Sequence, residues 1–343
     1  MHTAKALPRA LALLLAGCTG GGAELIVERA PVAVADVWAA APDDAWGVGR
    51  PETGAFTGPV AIGPAIVRYD GETWSTAWES NGASLSGVWG AAPDDVWAVG
   101  SVLGVAVTVH YDGVAWSETA LPAREGGTDE LYDVAGAGPD DVWAVGTTDA
   151  SGSFAALVMR FDGSRWTVQP GPPAEALVAV HVTSAGVVWA LSREAVFRRD
   201  GETWTRLETG LPSGVRRIGE SEGRIWVGGQ AGIAVLEDGV FVALDTDATA
   251  TLRGTDALLH GDVRVFSTFD QGSTSCTFSG CMDGTSTRTA TIHLRSDRER
   301  LVTIRSIEPE PSEFRTVSLE SVRFFANDAE LWVLGPSYWR IAL

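Results

Sequence analysis

Three near-copies of one phrase constrain this chain more than any other feature: VWAAAPDDAWGVG ending at Gly49, VWGAAPDDVWAVG ending at Gly100 and VAGAGPDDVWAVG ending at Gly146. Each is followed by a turn in which tyrosine or phenylalanine precedes Asp-Gly, at Asp70-Gly71, Asp112-Gly113 and Asp162-Gly163. Repetition at a fixed short period implies stacked copies of one supersecondary unit, none of which buries its apolar face alone. In the second copy, Leu85–Gly90 reads as a strand running into the turn Pro93-Asp94-Asp95, and Val96–Gly100 as a second strand. Val105–Tyr111 and Val114–Leu121 flank Asp112-Gly113, a dipeptide that supplies the positive φ angles of a two-residue hairpin. Four antiparallel strands in so short a unit have the size and content of one propeller blade.

The second-strand tryptophan traces the unit around the chain, at Trp46, Trp97, Trp143, Trp189, Trp226 and Trp332. A degenerate copy between the last two is expected to have strands near Thr249–Gly254, Ala257–Val265, Arg288–Leu294 and Leu301–Ile307. The last copy, Leu319–Leu343, holds three strands, and Glu24–Arg29 is an apolar strand without companions. The expected fold is therefore all-β: a seven-bladed β-propeller of four-stranded antiparallel blades, closed by the N-terminal strand, which leaves no open sheet edge.

The first residues read as a targeting signal. Lys5 and Arg9 precede the apolar run Leu11–Ala16, too short to span a bilayer. Leu15-Ala16-Gly17-Cys18 resembles the lipobox of bacterial lipoproteins, which implies lipidation of Cys18 after removal of residues 1–17. Thr19 follows, and without an acid there the family pattern implies the outer membrane. Residues 18–23 form a Gly-rich tether and 24–343 the propeller domain. Removal of the signal takes Lys5 and Arg9 and no acid, leaving 23 basic against 44 acidic side chains, a formal balance of −21, and no lysine. Such a charge repels nucleic acid and anionic headgroups, so no nucleic-acid partner is expected and the membrane is met only through the lipid anchor. In an oxidising envelope Cys276 and Cys281 would close a small disulfide loop, worth roughly 2 kcal/mol in the entropy model.

The repeats resemble those of bacterial envelope β-propellers of the BNR and YVTN type, over roughly residues 24–343. The Asp box of sialidases separates its Asp and Gly by one residue and opens on a hydroxyl residue. Here Asp and Gly are adjacent, and Arg68, His110, Arg160 or Arg198 stands where Ser or Thr would, so the resemblance carries no sialidase activity. Those basic residues instead predict ion pairs across the strands, Arg68 with Asp44, His110 with Asp95 and Arg160 with Asp141. The recurrent tryptophans read as wedges between blades, and the Pro-Asp-Asp turns as solvated caps rather than calcium ligands, because turns on separate blades do not supply six oxygens to one point.

Up-and-down topology puts the Pro-Asp-Asp and Asp-Gly turns on one side and the variable connections on the other. The latter include Gly49–Pro64, Pro122–Asp129, Thr147–Ser153 and Ser267–Thr287. That loop side is the expected binding side. In the channel, Arg217, Arg253 and Arg323 form a candidate site for a carboxylate or phosphate, facing Asp36 and Asp133, unless they pair with those acids. His110, His181, His260 and His293 have no metal-ligand spacing, and neither a G-x-S-x-G elbow nor a phosphate loop occurs, so no catalytic residue, metal or cofactor is assigned. The expected function is a lipid-anchored noncatalytic binding or scaffold module of the cell envelope, recognising an envelope protein or polysaccharide. The alternative is a propeller glycosidase or lyase, marked by carboxylates converging with Arg or Tyr at the channel mouth.

Overall fold

The computed structural model describes residues 32–41, 43–51, 62–123, 127–149, 152–210, 215–229 and 232–245, and the strands beyond them. The alternating apolar runs form strands in chain order. The first sheet holds β1 (Val32–Ala41), β2 (Asp44–Pro51), β3 (Ile62–Tyr69) and β4 (Trp74–Asn81). The second holds β5 (Ala83–Ala92), β6 (Asp95–Val102), β7 (Val105–Tyr111) and β8 (Trp116–Thr119). The third holds β9 (Asp129–Gly138), β10 (Asp141–Thr148), β11 (Ala155–Phe161) and β12 (Trp166–Gln169). In the fourth are β13 (Ala179–Val182), β14 (Val188–Leu191), β15 (Val196–Asp200) and β16 (Thr203–Leu207), and in the fifth β17 (Val215–Ser221), β18 (Arg224–Gly229), β19 (Gly232–Glu237) and β20 (Val240–Asp245). A sixth contains β21 (Ala257–His260), β22 (Val263–Gln271), β23 (Arg288–Arg295) and β24 (Val302–Ile307), and a last one the three strands β25 (Arg323–Ala326), β26 (Glu330–Leu334) and β27 (Trp339–Ala342). Every pairing is antiparallel between consecutive strands, as short turns require.

The sheets stand side by side in a propeller-like arrangement, with the first strands of consecutive sheets in contact and β25 against β1. The core lies between sheets rather than within any one of them. Trp46 packs with Leu85, Val88 and Val107 of the second sheet, and Trp97 with Leu131, Leu157 and Trp166 of the third. Trp143 joins Val180 and Phe197, and Trp189 joins Val215 and Phe241. The wedge reading of these tryptophans holds: Trp46, Trp97, Trp143, Trp189 and Trp226 are all buried. Trp46 lies 4.8 Å from Tyr111 and 5.2 Å from Trp116, and Trp97 lies 4.6 Å from Phe161 and 5.3 Å from Trp166, each contact crossing to the next sheet.

Two expectations need correction. Ala257–Val265 is not one strand but a hairpin in which His260 faces Val263, and β22 continues to Gln271, so residues 267–271 belong to a strand rather than to the cysteine-bearing loop. The Asp-Gly turns of the first three sheets are four-residue loops, not two-residue hairpins, because the strands pair at Tyr69–Trp74, Tyr111–Trp116 and Phe161–Trp166. Thr249–Gly254 and the closing strand Glu24–Arg29 lie outside the described residues.

Candidate functional site

The two ends of the sheets differ in how completely their polar groups are used. On the tight-turn side, Asp70 Oδ1 accepts the amides of Glu72 and Thr73, and Asp112 Oδ1 those of Val114 and Ala115. Asp162 Oδ1 accepts the amides of Ser164 and Arg165 and the Ser164 hydroxyl. These bonds favour the carboxylate, and the Ser164 hydroxyl followed by the two amides holds Asp162 down to about 2. The glycine that follows each Asp has positive φ and lies against the first Asp of the Pro-Asp-Asp turn: a Cβ on Gly71, Gly113 or Gly163 would sit 2.9 Å from Cβ of Asp43, Asp94 or Asp140. The predicted cross-strand pairs close the same end. Arg68 Nε meets Asp44 Oδ1 at 3.0 Å, His110 Nε2 meets Asp95 Oδ1 at 2.7 Å, and Arg160 Nε meets Asp141 Oδ1 at 2.6 Å. The same bases lie over the wedges: Arg68 and Arg160 sit 4.9 and 5.5 Å from the rings of Trp46 and Trp143, and His110 stacks on Trp97 at 4.1 Å. This end is occupied by its own structure.

One register position recurs along the first strands and carries their charges. Asp36 pairs with Val48, Gly87 with Val99, Asp133 with Val145, Ala179 with Leu191, Arg217 with Gly228 and Arg323 with Leu334. Each acid accepts an amide of the next sheet: Val88 N donates to Asp36 Oδ2 at 3.1 Å, and Val180 N to Asp133 Oδ2 at 2.8 Å. Gly87 offers no carboxylate to the third sheet, and Val134 N there bonds Asp133 Oδ1 at 2.9 Å instead. Arg217 Nη1 reaches from the fifth sheet to Asp36 Oδ1 of the first at 3.1 Å, a strut between sheets that are not neighbours. Burial first, then the Asp36 charge, pushes Asp133 up to about 7, against the Val180 amide, the Arg217 charge and the Val134 amide. Of the three candidate arginines, Arg217 is thus engaged by an acid, Arg323 holds the same register in β25, and Arg253 lies outside the described residues. Cys18, Cys276 and Cys281 also lie outside them.

Two polar pairings on the first strands have no counterpart among the sequence expectations. Tyr132 donates to Glu130 Oε2 at 2.8 Å near the start of β9. Burial and the Glu130 bond raise the phenol to about 12, while the positive charge of Arg193 acts in the opposite sense. Further along the first strands His181 Nε2 lies 3.5 Å from Glu220 Oε2, and burial holds that imidazole below its ordinary value although Glu220 raises it. A tyrosine two residues from a glutamate on a strand was a readable signal, since such residues share a face. The remaining pair joins different sheets and has no sequence signature. Among the described residues no cluster of His, Cys, Asp and Glu has the geometry to hold a metal ion, and no helix is long and apolar enough to cross a membrane.

No protein-family model and no curated protein sequence matches this chain. Solved structures do match it. YCF48 bound to D1 peptide shares 13% identity at a TM-score of 0.61, over 96% of this chain and 97% of that one. YCF48 from Cyanidioschyzon merolae shares 14% at 0.57, over 94% and 98%. The extracellular domain of the one-component system BT4673 from B. thetaiotaomicron shares 11% at 0.53, over 92% of this chain and 39% of that one. The chain is similar to these propellers in fold.

Proposed function

We propose that this chain is a lipid-anchored, noncatalytic binding or scaffold propeller of the bacterial cell envelope, which recognises a protein or polysaccharide on its loop side. The observation that carries this reading is the asymmetry of the two ends. On one, the carboxylates, bases and turn amides pair with one another, and the exposed Val114 and Val240 stand on separate sheets; on the other, connections of varied length present exposed Leu103, Val105 and Phe154 on two consecutive sheets. Long connections on a rigid scaffold are where recognition resides. The resemblance to YCF48 bound to D1 peptide supports a protein partner, and an extracellular domain of like fold supports an exported location. The ring has seven blades, the last completed by Glu24–Arg29, which enters from the tight-turn side and turns that side toward the membrane. Cys18 carries the lipid, and Cys276 and Cys281 form a disulfide in the loop after β22. The channel acids serve structure in this reading: Asp36 and Asp133 hold amides of neighbouring sheets.

Pull-down from detergent-solubilised envelopes, with the native chain and a copy lacking residues 272–287, tests this function. Partners lost with that segment support a binding module; hydrolysis of envelope glycans by the purified chain overturns the noncatalytic reading. Cys18→Ser releases the chain from the membrane fraction if the lipid anchor is right.

A further inference from the structure

Three large apolar side chains stand exposed on the loop side of the second and third sheets: Leu103 at 68%, Val105 at 67% and Phe154 at 62%. Leu103 is exceptional in its backbone as well. With Gly104 it forms a two-residue turn between the paired residues Val102 and Val105, at φ 51° and 77°. The first position of such a turn favours Asn, Asp or Gly, because a larger side chain crowds its own backbone in the left-handed region. The other described non-glycine residues at positive φ, Glu222 and Asp238, are polar and likewise precede glycine. Leu103 therefore carries backbone strain and exposes apolar surface, and its folded environment offsets neither. Strain of this kind at a loop tip points to a ligand.

The turn is also braced to its neighbour. Gly104 O accepts the Asp129 amide at 2.9 Å, and a Cβ on Gly104 would lie 2.9 Å from Thr128 Cγ2. Thr128 O accepts the Asp149 amide at 3.0 Å, Thr128 N donates to Asp149 Oδ1, and Asp149 O accepts the Gly152 amide at 2.7 Å, two residues before Phe154. The connection of one sheet is thereby hydrogen-bonded through to that of the next, with Leu103 beside one end of the chain of bonds and Phe154 two residues beyond the other.

Charge selects among the occupants. Asp149 lies within this brace, and Glu175, whose carbonyl accepts the Thr147 hydroxyl at 2.7 Å, is exposed at the same end of β10. The whole chain has a formal net charge of −19. A second copy would bring the same acids and be repelled. A neutral glycan would find one aromatic ring, Phe154, among aliphatic groups. Resting on the loop-side reading above, we infer that the surface of Leu103, Val105 and Phe154 docks a peptide segment of a partner protein in which large apolar residues are flanked by Lys or Arg.

The test uses the chain without its signal, and as probes two sets of short fluorescent synthetic peptides with Leu and Phe at alternate positions. One set is flanked by Lys and Arg, the other by Glu, and binding is read by anisotropy at low and raised salt. The basic set binds, added salt weakens it, and the acidic set does not bind. Leu103→Asn and Phe154→Ser each lower affinity about tenfold or more. Leu103→Asn does so with Tm unchanged or raised, since Asn suits the turn; a purely structural leucine would lose Tm instead. No binding of the basic set, equal binding of both sets, full affinity in both variants, or a dimer that Leu103→Asn dissolves overturns the inference. If envelope partners depend on residues 272–287 yet bind both variants normally, the inference fails while the loop-side reading stands.

Discussion

The first three sheets and the two that follow solve the same packing problem with different chemistry. In the first three, a Pro-Asp-Asp turn lies against an Asp-Gly loop, an Asp caps two amides, and a base joins the second Asp to the tryptophan ring. In the fourth and fifth, the strands meet at Asp200–Thr203 and Glu237–Val240, so the turns contain two residues and the amide caps disappear. The position filled by Tyr69, Tyr111 and Phe161 becomes Arg199, whose guanidinium lies 4.6 Å from the Trp143 ring. What persists is the buried tryptophan, which from Trp46 to Trp189 packs against the next sheet. The Asp-Gly motif that makes the repeat visible is thus a device for closing turns, and the wedge between sheets is what specifies the fold.

Removing a wedge has the largest expected effect. Trp97 is 1% exposed and meets Phe161, Trp166 and His110, so Trp97→Ala is expected to cost about 3–5 kcal/mol. Trp143→Ala falls at the lower end of that range, because Arg199 can turn to water once the ring is gone. Urea unfolding of both variants checks the order, and equal losses would erase the distinction between the two regions.

A second fit lies on the first strands and, among the described residues, joins the first three sheets. The space a Cβ would need on Gly90 is filled by Trp38 ring atoms 2.6–2.8 Å away, and that on Gly136 by Trp89 at 2.6 Å. In the third copy Ala135 replaces the tryptophan, and the next sheet carries Val182 rather than glycine. Gly90→Ala is expected to cost roughly 1–3 kcal/mol by overpacking, and Trp38→Leu in the same chain to recover part of it. Additive losses in that double-mutant cycle would mean that glycine is needed there for another reason.

The phrases Val-Trp-Gly and Val-Ala-Gly held that size exchange in plain view, but its meaning depends on register between sheets, which one sequence does not display. Strand order and the three cross-strand pairs were legible because they follow from antiparallel neighbours inside one repeat. The length of the Asp-Gly loops was not, since the dipeptide suits both a two-residue turn and a capped four-residue loop, and the strand ends decide. The degenerate copy was misphased because it has no Pro-Asp-Asp and no tryptophan to mark its second strand. Arg217 was placed on the axis by topology, but its engagement by Asp36 required a distance that spans several sheets.

Acid and neutral pH should separate the first-strand acids from the turns. Asp133 is raised to about 7, above an unfolded value near 4, so its protonated form favours the folded state. That contribution is full below about pH 4 and is lost as pH rises through 7. Asp162, held down to about 2, acts with the opposite sign: its contribution is present above about pH 4 and lost as pH falls toward 2. Asp133→Asn is therefore expected to flatten the fall in stability between about pH 4 and 7. The loss on acidification below pH 4 should remain, and an unchanged slope at neutral pH would place the titration elsewhere.

The smallest effect is the sharpest contrast, because the same dipeptide is asked to do two things. Asp112 accepts two amides in a four-residue loop, whereas Asp238 sits at φ 47° in a two-residue turn with Gly239 and has no such amides to hold. Asp112→Asn keeps one acceptor oxygen but removes the charge that the amides favour, and it should lower Tm slightly at neutral pH and not at all in acid. Asp238→Asn should leave Tm unchanged or raise it, since Asn tolerates the left-handed region at least as well and no charge is lost from a cap. Differential scanning calorimetry at both pH values reads the two variants side by side. If Asp238→Asn behaved like Asp112→Asn, the carboxylate rather than the backbone would set both turns, and the two regions would differ in loop length alone.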